Sequence, residues 1–175
     1  MATGSILLPI NGATPSDGST TNAAPEIIRV KGAAAAPAPH FVEARFDPST
    51  DEHLQFSFRM PQDYSSGPVL KLLWKANAVT NAVVWGARLS AITADDADTP
   101  NEHAFATANY QATNVNTTEA RRLTATSITL TNADSVAAND LVILQIFRDA
   151  DGTGGTDSCT VDAELVGITL EYTTA

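Results

Sequence analysis

The chain has 175 residues, 43% of them hydrophobic, which suits one folded domain with an additional segment and excludes wholesale disorder. Ten Lys and Arg against twenty Asp and Glu give a formal charge of −10 and an isoelectric point near 4.5, so phosphate backbones and anionic membranes are poor partners. One cysteine, Cys159, rules out an internal disulfide and points to a reducing compartment. No run approaches ~18 continuous apolar residues, so no membrane-spanning helix is expected. The opening MATGSILLPINGATPSDG has no basic segment before its short apolar run, and is not read as a signal peptide.

Residues 1–39 hold five of the nine prolines, in stretches such as Gly12–Gly18 and Ala33–Pro39. Proline fixes φ and removes backbone donors, so this segment is expected to be an extended N-terminal arm, distinct from a domain over 40–175. Two apolar islands interrupt it, Ile6, Leu7 and Leu8, then Ile27, Ile28 and Val30. They are the candidate partner-binding residues, anchors for grooves on a neighbour.

From residue 40 the hydrophobic period is two, the mark of strands. Leu54, Phe56, Phe58 and Met60 alternate with polar residues until Pro61. Leu70, Leu72, Trp74 and Ala76 form the next set, and Val83, Trp85, Ala87 and Leu89 the one after. Residues 94–110 are the one segment read as helical, with Pro100 at its start and Glu102 in its first turn. Strands are expected again over 123–130, 141–147 and 161–172. In the last, the apolar phase shifts by one beside Gly167, which predicts a β-bulge or a bend. Seven or eight strands at roughly 10–15-residue spacing give an all-β fold, a jelly-roll-like antiparallel β-sandwich.

The chemistry-bearing residues form no catalytic set. His40, His53 and His103 lack metal-ligand spacing, and no nucleophile elbow is present. Cys159 shares a strand phase with Val161 and Ala163 and is read as buried. Asp149, Asp151 and Asp157 match three positions of a calcium loop, but Thr160 stands where a bidentate Glu belongs, so a hairpin turn is preferred. Asp95, Asp96 and Asp98 read as a solvated loop. Trp74 and Trp85 could stack on a sugar, but their phase places them in the core. No cofactor and no metal is assigned.

Residues 130–150 (LTNADSVAANDLVILQIFRDA), then 161–172 (VDAELVGITLEY), with Phe58-Arg-Met-Pro61 before Leu70–Lys75, carry a resemblance over residues 40–175. The chain resembles jelly-roll capsid cement (decoration) proteins of tailed bacteriophages. The resemblance implies a non-enzymatic virion protein on the outer capsid surface, assembled in the host cytoplasm. Its partners would be the major capsid protein, tied together by the arm, and its own copies, in a homotrimer. Neither nucleic acid nor membrane is implied. The alternative is a tail-fibre or receptor-binding module that recognises carbohydrate.

Overall fold

The computed structural model describes residues 2–17 and 23–175, so Met1 and Gly18, the last residue of the Gly12–Gly18 stretch, lie outside the described residues. Eleven strands are formed among them: β1 (Thr3–Leu7), β2 (Thr14–Pro15), β3 (Glu26–Lys31), β4 (His40–Phe46), β5 (His53–Arg59), β6 (Tyr64–Ala76), β7 (Ala82–Ile92), β8 (Asn109–Asn114), β9 (Thr124–Thr129), β10 (Leu141–Arg148) and β11 (Ala163–Thr174). The pairing is nested. β4 pairs with β11, β5 with β10, β6 with β9, and β7 with β8, all antiparallel. A double ribbon folded over in this way gives two facing sheets and is the jelly roll. One sheet runs β3-β4-β11-β6-β9 and the other β2-β5-β10-β7-β8.

The alternation read from the sequence explains which faces meet. Leu54 and Phe56, Leu70 and Leu72, Val142, Leu144 and Ile146, and Leu165, Ile168 and Leu170 all point into one core. Trp74 and Trp85 are buried at its centre, their rings 5.9 Å apart and edge-on, with Phe46 edge-on to Trp85 at 5.0 Å. Such aromatic pairs add about 0.5–1.5 kcal/mol each beyond their burial. The phase shift at Gly167 is present as a register change in the β11–β6 ladder between Leu165 and Gly167.

The described residues of the 1–39 segment pair with the sandwich through three strands. β4 covers only Ala163–Leu165 on its side of β11, and β1 pairs along Thr169–Thr173 further down that side. An uncovered strand edge is an aggregation hazard, and β1 removes it. Alternation then turns Ile6 and Leu8 inward and Leu7 outward, 74% exposed. β2 pairs with β5, and β3 pairs along His40–Arg45 of β4. The prolines break the segment into short strands without preventing it from pairing.

Residues 94–110 are not helical. One turn closes where the Thr99 carbonyl accepts the N–H groups of Glu102 and His103; then the chain extends into β8. Asp95 takes a positive φ of 67°, which ends any regular run before Pro100. His103 holds the segment down instead, hydrogen-bonded to Asp134 at 2.7 Å.

A buried ion pair closes one end of the sandwich. Arg148, fully buried at the end of β10, directs Nε and Nη2 to the two oxygens of Asp157, at 2.9 and 2.8 Å. Its remaining N–H groups go to the carbonyls of Phe46, Val161 and Cys159. Asp157 also accepts from the backbone N–H of Val84 and of Cys159. Removing one member of such a pair leaves a buried charge uncompensated. Arg148→Met is expected to lower stability in urea unfolding by about 3–5 kcal/mol. Arg148→Lys is expected to recover little of this, because an ammonium cannot match the planar fork.

Candidate functional site

The outer face of the β2-β5-β10-β7-β8 sheet carries a row of side chains set by register. Phe147 of β10 lies opposite His53 of β5 and Gly86 of β7, and Gly86 lies opposite Tyr110 of β8. A Cβ on Gly86 would fall 2.3 Å from the Phe147 ring, so only glycine lets that ring lie flat across β7. Tyr110 meets Phe147 edge-on at 5.8 Å, and His53 meets it at 5.1 Å. Arg88, one step along β7, lies over the rings of Phe105 and Phe147 and donates from Nε to Gln145 at 2.7 Å. His53, Arg88, Tyr110 and Phe147, with Ser49, Thr50, Asp51 and Asp151, line an open cleft of about 560 Å³.

The loops that wall the cleft are held by specific contacts. Asp51, in the β4–β5 loop, accepts the N–H groups of Ala150 and Asp151 at 2.7 and 3.1 Å. Asp151 accepts the N–H and hydroxyl of Thr153. Tyr110 packs flat on Gly154, where a Cβ would lie 2.1 Å from its ring. Asp149, fully buried behind this wall, accepts the Gly154 N–H at 2.8 Å through Oδ2.

The electrostatics follow from burial and neighbours. Burial pushes the Asp149 carboxyl above the usual carboxylate range, and Asp51 and Asp151 add to the shift. Thr153 holds Asp151 below that range. Burial, then the Arg88 charge, lowers the His53 imidazole, and its Nδ1 has no hydrogen-bond partner among the described residues. The cleft therefore presents a cation, carboxylates, a neutral imidazole and an aromatic ring within one concavity.

No family model matches the chain, and no curated protein matches it. Solved structures similar to it include the CBM22-1 xylan-binding domain of Paenibacillus barcinonensis Xyn10C, 9% identical with a TM-score of 0.48, covering 95% of this chain and 89% of that one. The family 11 carbohydrate-binding module of Clostridium thermocellum is 9% identical with a TM-score of 0.45, covering 97% and 96%. The Caldicellulosiruptor saccharolyticus CBM27-1 domain in complex with mannohexaose is 6% identical with a TM-score of 0.46, covering 95% and 96%. Values this low carry no binding property over to this chain.

The residues singled out in the sequence fall elsewhere. Leu8 is in the chain's own core, and Ile6 and Ile27 pack against it, so these three are not free anchors. Leu7 is exposed. Ile28 and Val30 are half-buried on the outer face of the other sheet, where they pair with Glu43 and Phe41. Trp74 and Trp85 are buried and cannot stack on a ligand. Cys159 is buried, in the irregular segment before β11 rather than in a strand. Asp157 is taken by Arg148 and leaves the calcium-loop pattern, while Asp51, about a hundred residues upstream, takes a place beside Asp149 and Asp151. The cleft had one legible sign: in LVILQIF the core phase is Val142, Leu144 and Ile146, so Phe147 is a large aromatic on the outward phase.

His103 stands between Asp134 and Asp98, and chiefly its hydrogen bond to Asp134 raises its pKa above 6.5. A raised folded-state pKa gives stability that is complete below the unfolded value and lost as pH rises through the folded value. Hydrogen exchange across 94–108 is expected to quicken, beyond its intrinsic pH dependence, as pH rises from about 6 to 8. His103→Gln is expected to abolish that added response. His53, lowered rather than raised, has the opposite sign, so a local probe is needed rather than the global midpoint.

Proposed function

We propose that this chain is a non-catalytic recognition module that binds a carbohydrate in the Tyr110–Phe147 cleft. The carrying observation is the row His53–Phe147–Gly86–Tyr110 with Arg88 and two carboxylates at its rim. A sugar ring offers an apolar C–H face and a rim of hydroxyls that both donate and accept. Tyr110 supplies the flat partner for the first, and Arg88, His53, Asp51 and Asp151 supply acceptors and donors for the second. The cleft falls within the ~300–1,000 Å³ of ordinary small-ligand sites. The carboxylates on its rim favour a neutral sugar over an anionic one.

No bond-breaking step belongs to this reading. The two carboxylates of a glycosidase flank the scissile bond, about 5 Å or more apart. Here the Asp51, Asp149 and Asp151 oxygens lie within 4.8 Å of one another on one wall, and Asp149 does not line the cleft.

A second reading, the virion cement role, has one observation in its favour. On the outer face of the other sheet, Val30, Phe41, Leu123 and Val166 line a groove of about 670 Å³. Leu123 there is 52% exposed. A capsid subunit or a second copy of the chain would cover such apolar surface. The homotrimer and the major capsid partner belong to this reading.

The first reading is tested by screening the full chain on a panel of neutral glycans and measuring the best ligand by calorimetry. Tyr110→Ala is expected to weaken binding about tenfold or more, with the fold retained, which is ~1.4 kcal/mol. Gly154→Ala is expected to weaken it too, by displacing the Tyr110 ring. No binding on the panel, or equal affinity in Tyr110→Ala and Arg88→Ala, would contradict the assignment.

A further inference from the structure

At the cleft wall, three carboxylates converge from two loops that are far apart in sequence, Asp51 and Asp151 on the cleft side and Asp149 behind them. Oxygens of Asp51, Asp149 and Asp151 lie within 4.8 Å of one another. Each carboxylate commits one oxygen to the protein: Asp51 Oδ1 to the N–H groups of Ala150 and Asp151, Asp149 Oδ2 to that of Gly154, and Asp151 Oδ1 to Thr153. The second oxygen of Asp149 is different. Asp149 has no exposed surface, and no donor among the described residues reaches its Oδ1.

A buried acceptor without a donor costs about 1–3 kcal/mol, and more when it is charged. Arg148, the adjacent cation in sequence, offers no relief, because its whole fork is spent on Asp157 and three carbonyls. Three acidic groups, one of them closed off from water and lacking a donor, therefore face one another, and none of them makes a salt bridge among the described residues.

We propose that Asp51, Asp149 and Asp151 form a binding site for a hard divalent cation, with calcium the best match. All three donors are carboxylate oxygens, the ligand type that calcium takes and that soft or nitrogen-seeking metals do not select. The cation gives Asp149 Oδ1 the partner that the protein lacks and neutralises the mutual repulsion. It joins the β4–β5 loop to the β10–β11 loop across about a hundred residues of sequence. The site differs from the linear calcium loop that the sequence suggested, since Asp157 is excluded and Asp51 included. It shares Asp51 and Asp151 with the cleft rim but does not rest on the glycan reading, because the buried Asp149 Oδ1 lacks a donor among the described residues whether or not the cleft takes a sugar.

The test uses the full chain, stripped with chelator, and calcium chloride alone as the probe. Calorimetry is expected to show one site with a dissociation constant on the order of 10⁻⁴ M or tighter, within the range of calcium modules. The thermal midpoint is expected to rise with calcium concentration. Asp51→Asn and Asp151→Asn, both at partly or fully exposed positions, are expected to fold in chelator and to bind at least tenfold more weakly. Neither heat nor a midpoint shift up to about 10 mM calcium would overturn the proposal, leaving a shared proton as the partner of Asp149. Unchanged affinity in both variants would overturn it equally.

Discussion

Arg148 is buried with all five of its N–H groups paired, and four parts of the chain converge on it and its partner Asp157. The end of β10 provides the arginine, the end of β4 a carbonyl, the start of β7 an N–H, and the approach to β11 two further carbonyls and the aspartate itself. Desolvating a guanidinium and a carboxylate costs several kcal/mol per ion, and the geometry offsets this only when every lone pair and proton is matched. Here that condition is met on both members. The pair therefore specifies one arrangement of the strands at this end, since any shift in register would strand a charge.

The recognition face depends on that arrangement. Asp149, Asp151 and Gly154 belong to the same β10–β11 loop that Asp157 pins, and Gly154 seats the Tyr110 ring. A loop of residues 149–162 without regular structure would otherwise be expected to move. Pinned through Asp157, and tied again where Ser158 and Cys159 donate to Ala82, it becomes a wall. A preformed wall lowers the ordering cost of binding a small polar ligand. The other sheet has its own buried network, in which Lys75 bridges Glu43 and Glu164 and Arg45 pairs with Glu43. That network fixes β4, β11 and β6 side by side under the apolar groove and leaves the two outer faces chemically distinct.

Much of the fold was legible because half-buried strands write their faces into the sequence at period two. The core sets around Leu54, Trp74, Trp85, Leu144 and Ile168 all came from that pattern, as did the bulge at Gly167. β8 was not legible, because NYQATN at the sheet edge carries almost no apolar alternation and lies beside residues with helical signals. The N-terminal strands were missed for another reason. Proline density describes what a segment cannot do alone, while β1 exists because the far stretch of β11 needs a partner. The cleft was the least legible part. His53, Gly86, Tyr110 and Phe147 become neighbours only through the register of four strands, and Asp51 reaches Asp149 only through the closure of two loops.

The most direct test of the account is to map, by backbone amide shifts, where a glycan selected by the full chain makes contact. The cleft assignment requires the largest changes at residues 49–53, 86–88, 110 and 147–155, with β3, β4 and β9 undisturbed. Changes confined to the opposite face, around Phe41, Leu73 and Leu123, would contradict the assignment and move recognition to the apolar groove.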